Sequence, residues 1–357
     1  MSGAAALPPA AAAWSATVRR WRTGLFDSPV NIAITVGCMA VFVWIGVPLL
    51  RWAVLDATWA GTPETCARNG GACWAFIGEK LRFILFGLYP PAQQWQPLLA
   101  LGLLFGLCAA SGVPLLWGRR LIVSWVVVLT LSLTIMRGGV GSQPVPTAVW
   151  GGLPLTLLMS LIALAVAFPL AIALALGRQS TLGFVRLLSV TFIEVIRGVP
   201  LIAVLYVAAL LVPLMLPAGL TIDQLLRAQL GITIFVSAYM AEVVRSGLQS
   251  IPSGQYEAAR ALGLGNWAAT RQVILPQALR AVIPSFVTLA LGVLQDTTLV
   301  VVIGIFDFLN AARVSANDPN WLGFYDEAFG FAAAVYFVLC FAGSRYSLWL
   351  ERHLRQE

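Results

Sequence analysis

"VWGGLPLTLLMSLIALAVAFPLAIALALG", residues 149–177, runs for 29 residues without a charged side chain. As a helix rising 1.5 Å per residue, it is long enough to cross about 30 Å of hydrocarbon. Lipid offers backbone N–H and C=O groups no partners, so a segment this apolar has to bond within itself. The rest of the chain repeats the theme. Apolar residues make up 59% and charged residues 10%, against roughly 25% charged in soluble domains, and the mean hydropathy is +0.87. Too few charges are present to cover a water-facing surface. The period-two alternation of a membrane barrel is absent. The chain reads as an all-α, polytopic helical membrane protein.

Eight spans are predicted, at roughly 31–50, 97–117, 121–136, 149–177, 186–216, 230–248, 279–305 and 327–350. The fourth and fifth are long enough to tilt or to project into water. The N-terminal "MSGAAALPPAAAAWSATVRRWRTG" places its basic cluster after a Pro-Ala segment, unlike a cleaved signal, and reads as a disordered tail before a retained helix. With the N-terminus inside, the inner flanks carry Arg19, Arg20, Arg22, Arg119, Arg120, Arg178, Arg186, Arg245, Arg260, Arg271, Arg280, Arg345, Arg352 and Arg355. The outer side carries Arg51, Arg68, Lys80, Arg82, Arg137, Arg227 and Arg313, half as many. This bias predicts both termini in the cytoplasm. The net charge of +7 is then a topology signal, with no nucleic-acid footprint. Trp21, Trp117, Trp150, Trp321 and Trp349 fall near predicted span ends, as interfacial aromatics do.

The Gly- and Pro-rich "GGVGSQPVPTAVW", residues 138–150, marks a division. The expected organisation is a cytoplasmic tail over 1–30, a three-helix region over 31–148, a five-helix core over 149–350 and a short tail over 351–357. Cys38, Cys108 and Cys340 fall in apolar runs as small hydrophobes. Cys66 and Cys73 flank a Gly-rich tip; they close a short disulfide if the loop meets an oxidising compartment, and otherwise stay free thiols.

One inner loop, 249–278, differs from everything around it. "IPSGQYEAARALGLGN" predicts a short helix from Pro252 and Ser253, stopped by Gly263 and Gly265. Asn266 is placed to cap a second helix, "WAATRQVIL", which Pro276 should end. Together they form a knuckle carrying Tyr256, Ala259 and Leu262 at helical spacing, beside Glu257 and Arg260. The pattern alone serves equally a dock for another protein and a helix lying on the bilayer.

The spacing Glu257-Ala258-Ala259, then Gly263, then Val273-Ile274-Leu275-Pro276 resembles the EAA loop of ABC-importer permeases, with Val273 replacing the usual Ile. "FIEVIRGVPLIAVLY", "LPQALRAVIPSF" and "LQDTTLVVVIGIFDFLN" are similar to the polar amino-acid branch of that family, which carries histidine, glutamate, glutamine, arginine and opines. "LCFAGSRYSLWLERHL" and "CWAFIGEKLRFILFGLYP" resemble its general L-amino-acid permeases from Gram-negative bacteria; the first three spans match only that narrower group. The resemblance implies a type I ABC-importer permease core in a bacterial inner membrane. It further implies a second, related but distinct permease chain, a cytoplasmic ABC ATPase dimer and a periplasmic amino-acid-binding protein that delivers an L-amino acid. Glu257, Ala258, Ala259, Gly263, Leu275 and Pro276 would then be the ATPase-coupling contact. ATP and Mg²⁺ would sit on the partner ATPase, with no cofactor on this chain.

Charges inside spans cost roughly 2.5–3.5 kcal/mol each and call for reasons. Glu194 and Arg197, three residues apart, can pair on one helix face and brace a kink at Gly198 and Pro200. Alternatively, Arg197 faces the substrate path, where its guanidinium meets a carboxylate. Gln295, Asp296, Thr297 and Thr298 interrupt the seventh span. They predict either a path lining, with Asp296 near a substrate amino group, or a structural network joining Asp296 to Arg197. Glu242 and Arg245 read as interfacial structure.

Lys80 is the only lysine and follows Glu79, so no phosphate-binding loop exists. His353 is the only histidine, leaving no metal or triad constellation. The function expected is therefore a non-enzymatic transport subunit driven by a separate ATPase. The rival, an ion-coupled secondary transporter using Asp296 and Glu194 as proton carriers, leaves the inner loop without a task.

Overall fold

The computed structural model describes residues 24–354 apart from Val140 and Ala218. Arg19, Arg20, Trp21, Arg22 and Arg355 lie outside the described residues, as does most of the expected 1–30 tail. The chain divides into two compact units, one up to Phe76 and one from Ile77.

The first unit begins with α1, Pro29–Leu50, whose N-terminus is capped by the Ser28 hydroxyl accepting from the Asn31 N–H. A π-helical turn, Arg51–Leu55, extends it. No residue of α1 is buried. Beyond it, α2 (Pro63–Asn69) and a parallel bridge between Thr58 and Cys73 build a small folded loop. Cys66 and Cys73 form a disulfide with Cα atoms 5.5 Å apart. The Trp74 indole N–H donates to the Ala53 carbonyl at 2.7 Å, tying the loop back to the end of the span.

Helix α3, Trp74–Phe86, starts here and continues into the second unit; it was not among the expected spans. Its Lys80 bonds Asp318 at 2.8 Å, and that bond holds the Asp318 carboxyl below its ordinary range. Arg82 donates to Gln94 and to the Pro91 carbonyl. Next come α4 (Trp95–Ser111) and α5 (Arg119–Arg137), which pack on one another.

The core pair is α6, Gly152–Arg178, against α10, Gln224–Ser250, the most extensive helix pairing among the described residues. Ala163, Ala167, Ala171 and Ala175 recur once per turn of α6 and are fully buried. On α10, Ala228, Gly231, Ala238, Ala241 and Gly247 are buried as well. Between lipid-bathed helices the solvent supplies no hydrophobic drive, so close backbone approach through small side chains does the packing. The Gln229 amide adds a bond to the Met159 carbonyl across the pair at 3.2 Å.

Between these two lie α7 (Gly183–Arg197), α8 (Leu201–Tyr206), a π-helical turn (Val207–Leu211) and α9 (Val212–Met215). The predicted span 186–216 is sharply bent: α7 and the α8–α9 run meet at 102°. Gly198 ends α7, and Pro200, which lacks an N–H, opens α8, so the helical ladder is interrupted just there. The π turn spaces out its carbonyls, and Arg227 of α10 donates to those of Ala208 and Ala209.

After α10 follow α11 (Ser253–Ala261), α12 (Asn266–Ala269), a π-helical turn (Thr270–Ile274) and α13 (Leu275–Ala281). Then α14 (Ile283–Asp296) tightens into a 3₁₀ stretch, Thr297–Ile303. A two-residue strand β1 (Phe306–Asp307), α15 (Phe308–Ser315) and α16 (Tyr325–Leu354) complete the chain. Gly151 and Gly152 bridge Phe306 and Asp307, so the start of α6 is stitched to the link between α14 and α16. Asp307 is fully buried and caps α15, accepting from the Leu309 and Asn310 N–H groups. Burial pushes its carboxyl up to about 7 despite those bonds.

Among the described residues, five helical segments are long and apolar enough to cross a membrane by themselves, and the bent α7–α9 pair makes up to six. Counting eight also requires α4, 17 residues long, and α10, whose apolar run is broken by Glu242 and Arg245.

Candidate functional site

The loop between α10 and α14 forms the knuckle expected from the sequence, with two differences. Gly265 rather than Asn266 stands at the cap position of α12. Pro276 does not end the second helix: the π turn before it absorbs the missing N–H, and Pro276 sits in the first turn of α13. Gly263 closes α11 at φ +78, a conformation glycine adopts without a Cβ clash.

The knuckle is firm on one side and bare on the other. Ala259, Ala269, Ile274 and Ala278 are buried. The Tyr256 hydroxyl donates to the Leu248 carbonyl of α10 at 3.5 Å, and the Gln277 amide donates to Gln255 at 3.1 Å. Glu257, Ala258, Arg260, Gly263 and Pro276 are exposed, and Leu275 is half-buried. Leu262 is 81% exposed and Trp267 69%. Glu257 and Arg260 make no ion pair among the described residues. The helical-spacing triplet therefore splits: Ala259 points into the base and Leu262 away from it. Trp267, which the sequence reading passed over, is the knuckle's large exposed aromatic.

Above the knuckle a charged cluster joins three helices. Glu242 of α10 lies 2.9 Å from Arg178 at the end of α6, 2.7 Å from Arg245 and 3.6 Å from Arg197 of α7. Glu194 lies 2.8 Å from Arg178. The anticipated Glu194–Arg197 pair is thus replaced by cross-helix pairs, because α7 crosses the end of α6 and presents the two side chains to different helices. Ser189 confirms the crossing: a Cβ at Gly177 would clash with its hydroxyl. Arg197 also lies over the Tyr239 ring, 5.6 Å from its centroid.

The polar quartet lies elsewhere. Asp296 is 13 positions along α14 from its knuckle-side start, about 20 Å at 1.5 Å per residue. It makes no ion pair among the described residues, so the Asp296–Arg197 network is not formed. Thr297 is buried and bonds the Leu294 carbonyl. Thr298 bonds the Gln295 carbonyl, and exposed Gln295 reaches the Cys340 sulfur at 3.5 Å. Of the four, Gln295, Asp296 and Thr298 keep accessible surface. Among the described residues no cluster of His, Cys, Asp and Glu is suited to a metal ion.

Residues 167–356 match the family described as binding-protein-dependent transport system inner membrane component. The chain is 44% identical to the inner membrane amino-acid ABC transporter permease protein YhdY of Escherichia coli K12, over 93% of this chain and 91% of that one. It is 35% identical to the glutamate/glutamine/aspartate/asparagine transport system permease protein BztC of Rhodobacter capsulatus, over 98% and 96%. A crystal structure of an amino acid ABC transporter with histidines superposes with a TM-score of 0.52 at 31% identity, covering 57% of this chain and 92% of the other.

Proposed function

The chain belongs to the family of binding-protein-dependent transport system inner membrane components, and on that premise we propose that it moves L-amino acids and is driven through its knuckle. It is a multi-pass inner-membrane permease subunit of an ABC importer, and ATP hydrolysis lies on another chain. An ATPase and a substrate-binding protein are its partners. The finer reading is a related but distinct second permease, an ATPase dimer carrying ATP and Mg²⁺, and a periplasmic amino-acid-binding protein. Amino-acid cargo is supported by the relatives' names.

The observation that carries the coupling reading is a bare knuckle on a firm base. Leu262 and Trp267 offer apolar anchors, with Glu257 and Arg260 uncommitted beside them. Large exposed apolar side chains rimmed by charge mark docking surfaces. Both termini in the cytoplasm follows from the arginine bias, which puts the knuckle on the ATPase's side. The Cys66–Cys73 disulfide fits a loop outside the cytoplasm.

Transport then proceeds by alternating access. ATP closes the ATPase pair, the docked knuckles move together, and differential contacts in the two states shift the helices. Asp296, with Gln295 and Thr298 beside it, is the group on this chain suited to a substrate ammonium. Thr297 supports that turn from within. Arg197, at the bend made by Gly198 and Pro200, is suited to a carboxylate nearer the knuckle.

The test is Glu257→Arg and, separately, Gly263→Trp, in the complete complex. Uptake and ATPase association should both be lost while the permease still inserts. Normal association in either variant would refute the docking surface. Uptake that survives ATP depletion under a proton gradient would instead favour ion coupling.

A further inference from the structure

We propose that the Glu242 carboxylate is the joint through which knuckle motion reaches α7 and the bent half-span beyond it. The proposal rests on the coupling reading above and goes past it, because Glu242 lies outside the knuckle.

Three observations carry it. First, the lower end of α10 is tied to the knuckle: only Ile251 and Pro252 separate α10 from α11, and Tyr256 bonds back to Leu248. A Cβ at Gly247 would meet the Ala278 carbonyl at 2.6 Å, so α10 and α13 are in direct backbone contact. Glu242 stands about one and a half turns above that contact on the same helix.

Second, α7 packs on α6 and α10 and is joined to each by an ion pair. Only Ser189 and Ile193 of its 15 residues are buried. Arg178–Glu194 ties it to the end of α6 and Arg197–Glu242 ties it to α10, while Arg178–Glu242 joins those two helices to each other. Unlike an interdigitated apolar contact, such pairs exchange partners without opening a cavity, which suits a contact that has to differ between states.

Third, the cluster is unbalanced. Arg178, Arg197 and Arg245 face Glu194 and Glu242, leaving one positive charge in excess. Arg197 has the longest pair, 3.6 Å, and lies next to the 102° bend. When α10 shifts, Arg197 is the partner most easily released, and release frees α7 to swing about Gly198–Pro200. Glu242 is thus a positioning residue for the bend.

The experiment reconstitutes the complete complex, permease with its ATPase and binding protein, in vesicles and measures substrate taken up per ATP hydrolysed. Glu242→Gln keeps the side chain's size and removes the charge. Uptake per ATP should fall at least about tenfold while the ATPase stays bound. Because Glu242→Gln leaves three arginines facing one carboxylate, the double variant E242Q/R245Q serves as a charge-relieved second version, with the same loss expected. An unchanged ratio in either assembled variant overturns the proposal. Failure of both to assemble makes the cluster a folding clamp and overturns it equally. Failure of the underlying coupling reading appears separately, as an ATPase that binds normally to Glu257→Arg.

Discussion

Gly247 and Ala278 meet backbone to backbone, with space for no Cβ: one at 247 would stand 2.6 Å from the Ala278 carbonyl oxygen and 2.7 Å from the Val282 side chain. This contact roots the knuckle in α10. Gly247→Val should wedge α13 away at a cost of about 1–3 kcal/mol, the usual scale for overpacking. The expected readout is faster proteolysis within 251–282 and weakened ATPase association, with membrane insertion unchanged. Wild-type protection of that segment would count against the rooting.

Leu262 and Trp267 make the opposite case, being large, apolar and mostly exposed. Trp267→Ala and Leu262→Ala should leave the thermal stability of the isolated permease within about 0.5 kcal/mol. Each should weaken ATPase binding by about 2 kcal/mol, close to thirtyfold, as anchors at a docking surface do. Titration of purified ATPase onto the permease measures this directly. Equal affinity in both variants would remove them from the interface.

Asp307 makes the stability of the fold depend on pH. Its folded-state carboxyl titrates at about 7 against an ordinary 3.8, burial being the cause. Between these values the unfolded chain gives up the proton and the folded chain keeps it, so stability declines as pH rises from about 4 to 7 and levels off above. The total is on the order of 4 kcal/mol. Asparagine at 307 can still cap α15 and does not titrate. Thermal melts of Asp307→Asn should therefore lose this decline, and a slope equal to that of wild type would refute the assignment.

The disulfide closes a short loop. Cys66→Ser with Cys73→Ser should cost the loop roughly 2–3 kcal/mol, the entropic scale for a ring of this size. Because the loop belongs to the first unit, the melting of the second unit, from Ile77, should not move. Protease cutting near 60–72, compared with and without reductant, reports the loop alone.

The knuckle was legible because its signals are local. Gly263, Gly265 and the Pro252–Ser253 start act within a few residues of themselves, and helix stops of this kind survive in any tertiary setting. Pro276 misled because a proline ends a helix only if the freed carbonyl has no other accommodation, and the preceding π turn supplies one. Trp267 carried no signal at all: an aromatic in an apolar chain looks like core until its neighbours are known.

What the amino-acid order determined by itself is the class of molecule. Runs such as 149–177 have to become helices in lipid, since no other local structure satisfies their backbone there. What only the tertiary structure decided is which charge meets which. Glu194 and Arg197 are ideal neighbours along one helix, yet Glu194 meets Arg178, and Arg197 meets Glu242, 45 positions away in the chain. Pairing within a helix depends on spacing alone, whereas pairing across helices depends on the direction a chain takes after a break. The turn from Gln179 to Leu182, between α6 and α7, sets that direction, and packing against α6 and α10 selects it.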